Sequence, residues 1–107
     1  MKTALLGAAG LVALLAAAPS PRPGPVVHIR DDKFIPASVT VRAGDRVTFV
    51  NDDDDAHTAT ADDNSWDSEG LNQGQKWTHA FAKPGKIAYH CTVHPMMRAT
   101  IVVRSAS

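Results

Sequence analysis

Cys91, His94 and Met97 fall within seven residues of one another, and Cys91 is the only cysteine in the chain. The spacing is Cys-x2-His-x2-Met. A thiolate, an imidazole and a thioether so close together form a soft donor set that selects copper over harder ions. A second imidazole, His57, stands upstream beside a strand-like segment. Together these residues supply the two imidazoles, one thiolate and weak thioether of a type 1 copper site that exchanges single electrons. Met96 is a second thioether candidate. An extended chain points neighbouring side chains to opposite sides, so Met97 is the better placed donor and Met96 an exposed apolar residue near the site. Pro95 stiffens the loop between the donors by fixing its own backbone torsion.

Three histidines stand outside this set. His28 lies in a first strand and reads as an edge residue. His79 shares parity with Trp77 and Phe81 and so faces inward. His90 precedes Cys91 and therefore points away from the metal side. Asn51 ends a strand, and its amide is expected to tie the His57 loop to the Cys91 loop and orient the ligands.

Donors this far apart need a scaffold, and period-two alternation predicts one made of strands. Strands are expected at 26–30, 38–42, 46–51, 56–60, 76–81, 87–91 and 99–104, with turns at Asp31-Asp32, at Ala43-Gly44-Asp45 and at Lys83-Pro84-Gly85-Lys86. Residues 61–75 are polar and read as a loop. Sustained helical periodicity is lacking throughout. The expected fold is all-β, a Greek-key β-sandwich.

The chain has 107 residues, enough for one small domain. Lys2 followed by the apolar run Ala4 to Ala18 reads as a signal peptide over residues 1–18, with Ala16-Ala17-Ala18 fitting a cleavage site and Pro19 disfavouring cleavage right after it. Residues 19–25, PSPRPGP, read as a Pro-rich linker. The folded domain is then 26–104. A domain of that size buries limited apolar surface, and with one cysteine it can form no internal disulfide, so a metal is the available clip. Eleven basic residues balance eleven acidic ones. There is no basic excess to bind nucleic acid. Eight of the eleven acids lie between Asp52 and Glu69, including the run Asp52 to Asp55. That run is expected to border the metal end and to steer a basic partner.

Several stretches resemble the cupredoxin family in its amicyanin/plastocyanin-like branch. Phe34-x-Pro36, Val41-x-x-Gly44-Asp45-x-Val47-x-Phe49-x-Asn51 and His57 match the first half. Phe81-x-x-Pro84-Gly85, Tyr89-His90-Cys91-x-x-His94-Pro95 and Met97 match the second. Two-residue gaps on both sides of His94 are similar to the short-loop type. The resemblance implies a periplasmic or otherwise exported monomer that holds one copper through His57, Cys91, His94 and Met97. It further implies that the protein shuttles electrons between redox partners and is not an enzyme, with His94 reaching the surface within an apolar patch that includes Pro95 and Met96. A copper-handling module that sequesters or delivers the ion is the alternative with similar ligands. Two features depart from the family pattern: the four consecutive aspartates beside His57, and Trp66 in a polar loop.

Overall fold

The computed structural model describes residues 22–106. The signal segment 1–18 and the start of the linker lie outside the described residues. Eight strands follow in order: β1 (Val26–Arg30), β2 (Lys33–Ile35), β3 (Ser38–Arg42), β4 (Arg46–Asn51), β5 (Thr60–Ala61), β6 (Lys76–Ala80), β7 (Gly85–His90) and β8 (Arg98–Arg104). They build two four-stranded sheets, ordered β2-β1-β4-β6 and β3-β8-β7-β5, which form an all-β sandwich as expected. β1 runs parallel to β4 and β3 parallel to β8, while the other pairs are antiparallel.

Alternation along each strand builds the core. Val27 and Ile29 of β1, Val47 and Phe49 of β4, and Ile101 of β8 are all 0% exposed, and their neighbours along the chain face out. Phe49 and Tyr89 meet edge to face across the two sheets, with ring centroids 5.5 Å apart.

Three local differences from the sequence expectation have physical causes. β2 went unread because it is only three residues long and ends before Pro36. It forms because Asp31 and Asp32 both take positive φ (54° and 56°) and fold a tight hairpin onto β1. The strand expected at 56–60 shrinks to Thr60–Ala61, because the chain around His57 pairs instead with Leu71. The turn expected at 83–86 ends sooner, since Gly85 and Lys86 already pair with Val103 and Val102 of β8.

Residues 22–25, read as linker, are held along β4. Arg46 N–H donates to the Arg22 carbonyl at 2.8 Å, and Thr48 N–H to the Pro25 carbonyl at 3.1 Å. Gly24 lies so close to Arg46 that a Cβ there would fall 2.1 Å from its carbonyl oxygen, which leaves glycine as the residue that fits.

Trp66 sits in the polar loop and is nonetheless 7% exposed. Its ring packs against Phe49, Phe81 and Tyr89 at 5.8, 5.3 and 5.4 Å and closes the core on the side where β5 is too short to cover it. His79 faces inward as expected, lying 4.9 Å from Trp77 at an interplanar angle of 13°. Burial lowers its pKa from the ordinary imidazole value.

Candidate metal centre

β7 ends at His90, and its inward parity carries on from Tyr89 to Cys91, which is 0% exposed. The loop that follows is closed by its own backbone. Met97 N–H donates to the His94 carbonyl at 2.9 Å, and Cys91 N–H to the Met97 carbonyl at 3.2 Å. These two bonds hold Cys91, His94 and Met97 around one small volume. Burial separates the two methionines: Met97 is 3% exposed and Met96 is 85% exposed.

His57 arrives from the other sheet. The segment after β4 is fixed by a reciprocal backbone pair with Leu71, at 3.1 and 2.8 Å. The imidazole is fully buried, with Nδ1 3.8 Å from Cys91 Sγ and its ring 4.9 Å from that of His94. One donor atom from each of His57, Cys91 and His94 lies within 4.8 Å of the others. Met97 is close by.

The surroundings set the state of each donor. The Asp53 carboxylate receives N–H groups from Asp31 and Asp32 at 2.8 and 3.1 Å, and lies 2.9 Å from His57 Nε2. Desolvation pushes the Asp53 carboxyl upward, but the hydrogen bonds from the Asp32 and Asp31 backbone and from His57 together outweigh it and leave the pKa below the usual value. An ionised carboxylate only accepts, so His57 Nε2 carries the proton and Nδ1 presents its lone pair toward Cys91. Asp32 Oδ1 reinforces this arrangement from 3.4 Å. Thr58 N–H donates to Cys91 Sγ at 3.3 Å. His94 Nδ1 is buried and has no hydrogen-bond partner among the described residues. A buried imidazole nitrogen without a partner is costly unless an electrophile takes its lone pair. The vacant lone pairs of His57 and His94, a buried sulfur and a nearby thioether therefore fit a soft ion, with copper favoured over zinc by the thioether.

The histidines outside the set behave as their parity requires. His90 turns outward and meets Asp62 at 2.6 Å, while Arg98 holds the other Asp62 oxygen at 2.8 Å. His28 is half-buried and meets Asp52 at 2.8 Å. Asn51 acts differently from the expectation. Its Nδ2 donates to the carbonyls of Asp55 and Leu71 at 2.8 and 2.7 Å, and its Oδ1 accepts from Asp53 N–H at 2.9 Å. It braces the aspartate loop against Leu71, because β4 and β7 belong to different sheets. The tie to the Cys91 loop is made by Thr58, whose Oγ1 accepts from Thr92 N–H at 2.9 Å.

The sequence offers Asp53 only as one of the run Asp52 to Asp55 and Asp32 only as part of a turn, and it does not mark Thr58. A carboxylate four residues before a candidate ligand histidine was the available signal for Asp53. The contact of Asp32 depends on a hairpin turn that links distant segments and leaves no local trace.

A family model described as a cupredoxin-like domain matches residues 3–103. The chain belongs to the cupredoxin family. Amicyanin of Paracoccus versutus is 30% identical over 94 residues, covering 83% of this chain and 71% of that protein. Amicyanin-alpha of Methylorubrum extorquens is 33% identical over 106 residues, covering 94% and 87%. Among solved structures, the Cu(I) form of an amicyanin variant superposes with a TM-score of 0.71 at 28% identity, covering 83% of this chain and 88% of that one. A copper-containing nitrite reductase from Thermus scotoductus gives 0.69 at 27% identity, but this chain spans only 23% of it. The chain is thus amicyanin-like over nearly its whole length.

Proposed function

We propose that this protein is an exported type 1 copper protein that carries single electrons between redox partners, with one copper held by His57 Nδ1, Cys91 Sγ, His94 Nδ1 and Met97 Sδ. The observation that carries the reading is that His94, whose buried Nδ1 has no hydrogen-bond partner among the described residues, offers a ring nitrogen within 4.8 Å of donor atoms of His57 and Cys91. When bound, the ion supplies reversible one-electron exchange between Cu(II) and Cu(I).

The protein's part is to keep the donors still. His57 is clamped between Leu71 and Asp53, and Cys91, His94 and Met97 share one backbone-closed loop. A rigid frame of this kind leaves little to rearrange when the charge on the ion changes. With His57, Cys91, His94 and Met97 all holding the ion, a four-coordinate site would keep no position for a substrate, which favours a carrier over an enzyme. The signal-like segment 1–18 supports export, and the domain 26–104, with residues 22–25 laid along β4, is read as a monomer.

The test is the visible spectrum and voltammetry of the copper-loaded protein beside Cys91→Ser. A strong thiolate-to-copper band and a reversible couple, both lost in the variant, are expected. Rapid surrender of Cu(I) to a mild chelator in place of a stable couple would instead assign the protein to copper sequestration or delivery.

A further inference from the structure

We propose that the end of the sandwich opposite the candidate metal centre is a contact surface for an anionic lipid membrane, with Arg42, Arg46, Lys83, Lys86 and Arg104 supplying its charge. The proposal goes beyond the electron-carrier reading and does not depend on copper.

Topology gathers these residues. β3 and β8 run parallel and finish side by side, with Arg42 in register with Arg104. Arg46 opens β4 opposite Ala80, the last residue of β6. Lys86 lies at the start of β7, opposite Val102. Ala43 N–H donates to the Arg104 carbonyl at 2.8 Å and Gly44 N–H to the Phe81 carbonyl at 2.7 Å, so the turns of the two sheets meet at one pole. Asn51 and His90 end β4 and β7 at the other pole, where the candidate donors lie.

The basic charge at this pole is largely unanswered. All five side chains are exposed, and none forms an ion pair among the described residues. Like charges in register on neighbouring strands repel, as Arg42 and Arg104 must unless an anion lies against them. Asp45 stands among these turns, and its carboxylate is taken by Arg22 at 2.9 Å and by the Arg42 N–H at 2.9 Å. Asp63 borders the groove beside Lys83 and Lys86 and offsets one further charge. The pole keeps a basic excess in a chain whose formal charge is zero.

The place where the chain enters the fold indicates what this pole meets. Arg22 is held here, through its carbonyl, which accepts from Arg46 N–H at 2.8 Å, and through its ion pair with Asp45. Only residues 19–21 separate it from the apolar run Ala4 to Ala18. Four residue steps reach at most about 14 Å, so with that run in a membrane the pole stays within roughly two Debye lengths of the headgroups. The run from 4 to 18 is shorter than the roughly 20 residues a spanning helix needs. One weak apolar anchor joined to one basic patch makes a stable attachment. Lysine and arginine close to an anionic leaflet supply that second attraction. Seated in this way, the domain turns its candidate metal centre away from the lipid.

The experiment measures partition of the full chain into sedimented vesicles of phosphatidylcholine alone and of phosphatidylcholine with about one-third phosphatidylglycerol. The parent is compared with Lys83→Gln/Lys86→Gln and with Lys33→Gln/Lys76→Gln. Lys33 and Lys76 are exposed on β2 and at the start of β6, toward the metal end, so their variant makes the same change in net charge elsewhere. Each basic residue at an anionic surface contributes about fivefold, so Lys83→Gln/Lys86→Gln lowers binding to the anionic vesicles roughly 25-fold. The control variant stays close to the parent. Preference for the anionic vesicles vanishes near ~1 M salt, where the Debye length is about 3 Å. Neutral vesicles take up the parent and both variants alike. Copper-free and copper-loaded protein partition equally, so the result stands apart from the fate of the carrier reading.

A second measurement reads orientation. In nanodiscs of the anionic mixture carrying nitroxide-labelled headgroups, amide signals of residues 43–46 and of Lys83 and Lys86 weaken, and those of 31–33 and 53–55 keep their intensity. Equal losses in the two double variants, equal binding of the parent to the two kinds of vesicle, or weakening confined to 31–33 and 53–55 would overturn the proposal. Binding to polyglutamate in solution but not to anionic vesicles would also overturn it, and would assign the pole to an acidic protein.

Discussion

Replacing Asp53 with Asn separates the folding role of this residue from its role at the metal. The carboxylate gathers three donors: Asp31 N–H, Asp32 N–H and His57 Nε2. An Asn side chain keeps the shape, and its oxygen can stay on the two backbone groups while its NH₂ turns toward Nε2. In the metal-free protein the imidazole answers by moving its proton to Nδ1 and accepting from that NH₂. All partners are then satisfied, and the cost is the weakening of three charge-assisted bonds to neutral ones. With Asp53 only 15% exposed, we expect a loss of about 1–2 kcal/mol. For a domain of this size that lowers the metal-free melting temperature by roughly 4–15 °C.

Copper cannot use the switched tautomer, because Nδ1 then carries a proton where the lone pair belongs. Binding must restore the proton to Nε2, opposite an NH₂ group, so affinity falls by about 10- to 100-fold. Loss of the carboxylate also weakens imidazole donation, which favoured Cu(II). The potential should therefore rise, by about 60 mV for each tenfold of affinity lost by Cu(II) alone. Asp53→Ala makes the contrast. It abandons all three donors and should cost about 3–5 kcal/mol of metal-free stability. The assays are metal-free thermal melts, competitive copper titration and voltammetry. If Asp53→Asn melts as low as Asp53→Ala, or matches the parent in both affinity and potential, the tautomer argument is wrong.

Phe49→Ala should lower stability by about 3–5 kcal/mol, read as a shift in the urea midpoint, because the ring is fully buried and meets Trp66, Trp77 and Tyr89. Gly24→Ala should detach residues 22–25 from β4, raising amide exchange at Arg46 and Thr48 and leaving the copper spectrum intact; unchanged protection there would contradict the contact with the Arg46 carbonyl. The pH dependence of metal-free stability should have two limbs. Burial lowers the His79 pKa, so the unfolded chain binds the proton more readily, and stability should fall as pH drops from about 7 through the 6.5 of a free imidazole, a limb that His79→Phe removes. The Asp45 carboxyl lies below 3.8, through hydrogen bonding to the Arg42 backbone that outweighs desolvation, with Arg22 adding to the lowering, so its contribution is full above that value and should disappear as pH falls through the folded pKa. Asp45→Asn should flatten that acid limb.

The fold and the candidate metal donors were legible in the sequence for different reasons. Period-two alternation is a local property of each strand, so 26–30, 38–42 and 46–51 emerge with the boundaries the structure gives them. Cys91, His94 and Met97 are legible because one short loop carries all three. His57 is nearly so, since the strand before it ends in a well-marked Asn51. What stayed hidden depends on pairing between distant segments. Thr58 matters because its N–H meets Cys91 Sγ, a contact that joins positions thirty-three residues apart. Trp66 looked misplaced in a polar loop, yet a large ring at that position reports that the loop must fold back over the core.

The aspartate run shows how far composition can lead before geometry is needed. Four like charges in sequence suggest one electrostatic function. Folding assigns them separately, because β1 and β4 are parallel neighbours and bring the Asp31-Asp32 turn against the run. Asp53 is then drawn inward by two backbone N–H groups and fixes the His57 tautomer, and Asp52 is engaged by His28 and Arg30. Only the second half of the run remains available to a partner. The same turn brings Asp32 both to His57 Nε2 and to the rim beside His94. A substitution at Asp32 should consequently disturb copper affinity and salt-dependent exchange together, whereas one at Asp55 should disturb exchange alone. A change in affinity at Asp55 equal to that at Asp32 would show that the two roles are not separable along this loop.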